Sequence, residues 1–201
     1  MIRQKSKNIS GVVLAGGLNK RFGGKIKSNI VIGGEKIIDR IIKIINNIFE
    51  EIIIVTNAPG EFAQFSDFII TGDQFHKVGP LGGIHAAMKA SSKDAVFIFA
   101  GDMPFLNKDL IISQIEFYNL NIAEAVLPSV ENNPEPLHAI YRNILSDRLE
   151  AYLSSKRNYA IKDFLNEVNV SYFRLTQSED IIRAFTNINN LKEAEKALKI
   201  S

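Results

Sequence analysis

The residues best equipped to do chemistry stand at 9–27 (ISGVVLAGGLNKRFGGKIK). An apolar run containing Ile9, Val12, Val13, Leu14 and Ala15 opens into Gly16-Gly17. Lys20, Arg21, Lys25 and Lys27 follow, interleaved with Gly23 and Gly24. Glycines let a backbone turn sharply and bring its N–H groups against a ligand. Successive N–H groups form an anion-binding concavity, and lysine and arginine add full positive charges to it. A buried strand that empties into such a loop suits a polyphosphate, although a tight turn with solvated cations shares the same outline. Spacing excludes two commoner nucleotide loops. Gly24-Lys25 has no glycine five positions before Gly24, and Ile26 stands where a P-loop carries a hydroxyl residue. The G-x-G-x-x-G order of dinucleotide folds is also absent.

A polyphosphate usually arrives with Mg²⁺, which takes one or two carboxylates and fills its shell with phosphate oxygens and waters. Asp102 fits that demand. It follows the apolar run 95–100 (AVFIFA) and Gly101, so its carboxylate projects from a rigid strand end. A cap or turn role in Gly101-Asp102-Met103-Pro104 is the alternative. Asp73, next to Gly72, is a second metal-ligand candidate or an acceptor for a nucleotide hydroxyl or base, and loop aspartates also serve turns. His76, His85 and His138 lack metal-ligand spacing and are expected to be structural. No Ser-His-Asp pattern is evident. The absence of cysteine removes disulfides, zinc–thiolate sites and thiol nucleophiles.

These residues need elements to hold them. Residues 29–34 (NIVIGG) read as a short extended segment ending at Gly33-Gly34. Residues 36–49 place Ile37, Ile41, Ile44, Ile45 and Ile48 on one helical face, widened by Ile38 and Ile42, as for a helix lying on a sheet. Residues 51–56 (EIIIVT) predict a parallel strand buried on both faces, stopped by Asn57-Ala58-Pro59-Gly60. A short strand at 68–70 and a helix through Ser91 follow. Gly79-Pro80 opens that helix, and its N-terminus is itself an anion site. The spacing further predicts a helix at 107–119 with Asn107 as N-cap. Strands are expected at 123–127, ending at Pro128, and at 137–141 and 170–175, with a loop at 132–134. Helices are expected at 144–154, 160–167 and 191–199.

Strands alternating with helices imply one α/β layered domain over 1–201 with a mainly parallel sheet. Ligands of such sheets lie beyond the carboxyl ends of the strands. The Gly16 loop, Asn57, Asp73 and Asp102 all gather at those ends, far apart in sequence yet directed to one crevice. The chain is 46% hydrophobic and 23% charged, and its net charge of +2 is too small to argue for nucleic acid or a membrane as partner. No run approaches ~20 apolar residues and the first residues lack a signal-peptide pattern, so the cytoplasm is the expected compartment.

Five segments in order carry a family resemblance. They are Leu14-Ala15-Gly16-Gly17 with Arg21-Phe22-Gly23-Gly24 and Lys27; Gly79-Pro80-Leu81-Gly82-Gly83-Ile84 with Asp73 upstream; and Gly101-Asp102-Met103-Pro104-Phe105-Leu106. The last two are Glu135-Pro136-Leu137-His138-Ala139-Ile140-Tyr141-Arg142 and Phe185-Thr186-Asn187-Ile188-Asn189. Together they resemble the nucleotidyltransferases related to molybdenum cofactor guanylyltransferase. The resemblance implies a three-layer Rossmann-like nucleotide-diphospho-sugar transferase fold, mainly parallel, with helices on both faces. It implies transfer of GMP from GTP to molybdopterin-bound molybdenum cofactor with Mg²⁺.

By the same resemblance, Leu14, Ala15, Gly16, Gly17, Lys27, Asn57, Asp73 and Asp102 bind GTP, and Asp102 holds the metal. Lys27, Arg21 and Asp102 carry the catalytic charge. Arg21, Gly23, Gly79, Gly82 and Gly83 line the crevice toward the acceptor, where Asn187 and Asn189 also stand. Proteins that deliver the cofactor and apo-molybdoenzymes that receive it are implied by the family alone. Four positions depart from its pattern: Ile26 replaces an acidic residue, Lys36 a proline, and Asn190-Leu191 a threonine-proline pair. Ile26 opens two alternatives, Lys25 in place of Lys27 and a nucleotide-binding accessory protein without catalysis. Use of CTP or of a sugar-phosphate acceptor is the other rival reading.

Overall fold

A computed structural model describes residues 5–16, 26–75, 77–155, 158–188 and 193. Strand β1 (Ile9–Leu14) shows how the sheet divides its side chains. Ile9 and Val13 enter one apolar cluster and Val12 the other, because successive side chains of a strand point to opposite faces. β4 (Ile52–Val55) and β6 (Ala95–Ala100) alternate in the same way. Ile52, Ile54, Phe97 and Phe99 join the first cluster; Ile53, Val55, Val96 and Ile98 join the second. Helices α1 (Ile37–Ile45) and α3 (Lys108–Asn119) bury their apolar faces in the first core. Helices α2 (Pro80–Ala90), α4 (Ser146–Ser154) and the short α5 (Ile161–Leu165) cover the second. The result is three layers with helices on both faces.

The sheet runs β5 (Ile69–Thr71), β4, β1, β6, β9 (His138–Arg142), β7 (Ala125–Val130), β10 (Val170–Leu175), with β8 (Asn133–Pro134) hairpinned onto β7. β5, β4, β1 and β6 are mutually parallel, and β9 lies antiparallel between β6 and β7. β7 and β10 are parallel to each other. From β1 the order grows toward β4 on one side and toward β6 on the other. The carboxyl ends of β1 and β6 therefore flank a topological switch point, where such sheets open a crevice. No helix among the described residues is long and apolar enough to cross a membrane.

Several boundaries differ from the sequence reading. Helix α1 stops at Ile45, short of the expected end at 49, because Asn46 and Asn47 follow and the Asn47 side chain donates to the Lys43 carbonyl at 2.7 Å. Phe49 then leaves the helix to pair with Ser6 and sets its ring edge-on to Phe97 and Phe99. Residues 29–34 do not form one extended piece. A 3₁₀ turn at Lys27–Asn29 leads into a two-stranded hairpin, β2 (Val31–Ile32) and β3 (Glu35–Lys36), that turns at Gly33 and Gly34 with φ of 57° and 84°.

Strand β7 continues through Pro128 rather than ending there. The Pro128 carbonyl accepts from Glu135 N–H at 3.0 Å, so its ring nitrogen faces the same side. On that side β9 has already parted from β7 and β8 has not yet joined it, so no ladder bond is lost to the missing N–H. The expected loop at 132–134 is a hairpin turn in which Glu131 and Asn132 both take positive φ, followed by β8. Helix α6 (Glu179–Ala184), capped by Ser178, was not signalled by periodicity over so few residues. The expected helix at 191–199 falls outside the described residues apart from 193.

Candidate active site

The site begins with a close approach of two strand ends. Gly101 N–H donates to the Leu14 carbonyl at 3.1 Å, and a Cβ at Gly101 would lie 2.6 Å from that oxygen. Only glycine allows this contact. It places Asp102 beside Ala15 and Gly16, at the mouth of a cavity of about 410 Å³. Leu14, Ala15, Gly16, Lys27, Asn57, Asp73, Gly79, Gly83 and Asp102, all named from the sequence, line it together.

Lys27 enters from the 3₁₀ turn, and its Nζ lies 2.9 Å from Asp102 Oδ2, with the two side chains 27% and 19% exposed. Ile26 and Ile30, on either side of that turn, are buried in the first core. Ile26 therefore acts as a hydrophobic anchor, and Lys27 reaches Asp102 without an acidic residue before it. Lys25, the alternative cation, lies outside the described residues, as do Gly17, Lys20, Arg21, Gly23, Gly24, His76 and Asn189.

The opposite wall is the loop after β5 and the start of α2. Asp73 Oδ1 accepts from Phe75 N–H at 2.8 Å, and Asp73 N–H donates to Asn57 Oδ1 at 3.0 Å. Asn57 thus braces the Asp73 loop as well as lining the cavity. Gly79 caps α2 with φ 67° and ψ −152°, a conformation suited to glycine, and Pro80 occupies the first turn. The positive end of the helix dipole accordingly faces the cavity. Gly82 differs from the expectation. It is absent from the cavity wall and lies beneath the Asp73 carboxylate, which a Cβ at Gly82 would overlap.

The two described histidines are structural. His85 sets its ring edge-on to Phe75 at 5.1 Å and reaches Glu150 at 3.3 Å, tying the Asp73 loop back to α4. His138 is enclosed by the rings of Phe97, Phe99 and Phe185, with Nδ1 3.2 Å from Gln114 Oε1. Burial lowers its pKa to about 4. The C-terminal motif is also brought to the site. Ile188 is buried and its N–H donates to the Asp102 carbonyl at 2.8 Å, which sets the exposed Asn187 next to the Asp102 turn.

Sequence reasoning missed several residues of this region. Lys77, exposed and with φ 65°, adds a second cation to the wall. A lysine two positions before a helix-opening glycine was the available signal. Ser28 and Thr56 line the cavity too, and Leu137 joins them from the 135–142 segment named in the sequence. Glu135 lies within electrostatic reach of Asp102. Burial pushes its carboxyl pKa up, the hydrogen bond from Leu137 N–H lowers it, and the Asp102 charge adds to the rise.

The donor set suits a metal that shares its shell with a substrate. No group of three or more His, Cys, Asp or Glu side chains able to hold a metal occurs among the described residues. Asp102 offers one carboxylate to the cavity, which fits Mg²⁺ completed by phosphate oxygens and waters and does not fit a closed protein cage.

Known proteins resemble this chain in sequence and fold. Residues 11–170 match the model of the MobA-like NTP transferase domain. A probable molybdenum cofactor guanylyltransferase from Natranaerobius thermophilus is 34% identical over 200 residues, 96% of each chain. A molybdenum cofactor guanylyltransferase from Desulfosudis oleivorans is 32% identical over 94% of each. The crystal structure of molybdopterin-guanine dinucleotide biosynthesis protein A from Archaeoglobus fulgidus superposes with a TM-score of 0.80, covering 95% of this chain and 97% of that one at 23% identity. The chain is a nucleotidyltransferase and belongs to the family of the MobA-like NTP transferase domain.

Proposed function

We propose that this enzyme transfers GMP from GTP to molybdopterin-bound molybdenum cofactor in the cytoplasm and releases pyrophosphate. The observation that carries the reading is the pairing of Lys27 with Asp102 inside one cavity at the joined ends of β1 and β6. The named activities of the full-length relatives support the choice of base and acceptor.

The acceptor's terminal phosphate already carries negative charge. Its oxygen attacks the α-phosphorus, the α–β bridging bond breaks, and the main obstacle is crowding of anions rather than removal of a proton. Asp102 would hold Mg²⁺, which when bound offsets phosphate charge. Lys27 grips phosphate oxygens and the Gly16 backbone aims partial positive charge at the leaving group, while the α2 terminus at Gly79 faces the acceptor's phosphate. Gly17 and Arg21 are assigned to the same phosphate-binding loop. Asp73 accepts from the nucleotide's hydroxyl or base, held in place by Asn57 and by the space above Gly82. A protein that delivers the pterin and an apo-molybdoenzyme that takes the product complete the scheme.

Radiolabelled nucleoside triphosphates, offered with and without molybdopterin, test this. GTP alone should be consumed, only with acceptor present, and with release of pyrophosphate. Consumption of CTP, use of a sugar phosphate, or GTP binding without pyrophosphate release would overturn it. Asp102→Ala should keep the fold and lose turnover by a factor of roughly 10²–10³ or more. Near-normal turnover would remove Asp102 from the mechanism.

A further inference from the structure

Ser28 lines the cavity, is 1% exposed, and its Oγ has no hydrogen-bond partner. Other described residues carry buried polar atoms without a partner, among them Asn143 and Ser146, but none of those residues lines the cavity. A buried hydroxyl with its bond unmade costs free energy, and a ligand atom that completes the bond recovers it.

The turn leaves little freedom. Asn29 N–H donates to the Ile26 carbonyl at 3.1 Å and Ile30 N–H to the Lys27 carbonyl at 3.0 Å, with Ile26 and Ile30 sunk in the core. The Ser28 hydroxyl therefore has a fixed origin directly beside Lys27. A hydroxyl proton rotates to suit its acceptor, and a group gripped by a lysine is rich in acceptors. An anionic oxygen is the complement of that pair, and a charged acceptor makes the stronger bond.

We propose that the Ser28 hydroxyl donates to a non-bridging phosphoryl oxygen of the bound nucleotide, making Ser28 a phosphate-binding residue alongside Lys27. This rests on the nucleotide-transfer reading above and adds to it a contact that the glycine-rich motifs do not supply. The turn acts as a two-pronged grip in which one prong is charged and the other neutral.

The test compares wild type with Ser28→Ala and Ser28→Thr by calorimetry, using GTP, inorganic pyrophosphate and guanosine as probes, together with melting of the ligand-free proteins. Ser28→Ala should melt at or above the wild-type temperature, since it removes an unpaired buried hydroxyl. Its dissociation constants for GTP and pyrophosphate should both rise roughly tenfold or more, with guanosine unaffected and Ser28→Thr close to wild type. Unchanged GTP and pyrophosphate affinities in Ser28→Ala, or a loss confined to guanosine, would overturn the proposal. Wild-type protein that binds pyrophosphate but ignores GTP would sink the nucleotide reading while leaving the pyrophosphate arm to decide on Ser28. Wild-type protein that ignores pyrophosphate altogether would overturn the phosphate site.

Discussion

Gly82 lies so close beneath Asp73 that a Cβ at Gly82 would meet the carboxylate carbon of Asp73 at 2.7 Å. The glycine serves the site through the room it leaves. The atoms it would displace belong to a short side chain at the cavity wall, so the fold can give way there at small cost while the carboxylate moves. Gly82→Ala should keep a melting temperature within a few degrees of wild type and weaken GTP binding roughly tenfold or more. Calorimetry beside a thermal melt checks it, and full GTP affinity would show that Asp73 is not held for the nucleotide.

Gly101 presents the opposite case, because the neighbour it would strike is backbone. A methyl group there meets the Leu14 carbonyl oxygen and crowds the Ala15 Cα at 3.3 Å. Neither atom can move without parting the ends of β1 and β6. Gly101→Ala should cost roughly 1–3 kcal/mol of stability, as overpacking does, and lower turnover as well. Urea unfolding measures the first effect and pyrophosphate release the second.

Lys27 and Asp102 compete with other partners for each other's charge. With Lys27→Met the cation proposed to assist the phosphates is lost, and kcat should fall by roughly 10²–10³. Binding of Mn²⁺ to the nucleotide-free protein should change in the other direction and tighten a few-fold, since a partly exposed ion pair no longer opposes it. Paramagnetic titration with Mn²⁺ reads this without any turnover. Weaker Mn²⁺ binding in the variant would mean that the metal does not sit on Asp102.

The buried His138 imidazole makes stability depend on pH. Its pKa is about 4 in the fold against an ordinary 6.5, so the unfolded chain takes up a proton that the folded chain refuses until about pH 4. Stability is complete above pH 6.5 and declines as pH falls toward 4, by at most on the order of 3 kcal/mol. His138→Gln keeps a side-chain donor for Gln114 and removes the titration. The gap between wild-type and His138→Gln unfolding free energies should therefore shift in favour of the variant between pH 7 and pH 5. Parallel pH profiles would show that His138 does not titrate in this range.

Much of this molecule could be read from its residues because the informative ones are local. The run AVFIFA is strand β6 to the residue, and Asn107 caps α3 by accepting from Asp109 and Leu110 N–H. The gathering of Gly16, Asn57, Asp73 and Asp102 followed from their places at the carboxyl ends of the expected parallel strands. What could not be read depends on contacts across the fold. Pro128 signals a strand end unless the neighbouring strands are known to part there. Ile26 breaks a motif on paper, yet its burial is what steadies Lys27. Gly82 carries the same letter as Gly83, and only their surroundings separate a spacer from a wall. Ser28 shows no pattern at all; it becomes visible when its missing bond is set against the cavity beside it.

The hydrogen bond from Ile188 to the Asp102 carbonyl also bears on the order of protein synthesis. On the ribosome, β1, β4, β5 and β6 can pair while the downstream half of the chain is still being made, so the cavity takes shape early. The turn that bears Asp102 stays unlatched until residue 188 is available to it. An unfinished chain would then be a poor consumer of GTP, with timing built into the direction of translation. Released chains truncated on either side of residue 188 would reveal it as a step in Mn²⁺ affinity, and equal affinity on both sides would rule it out.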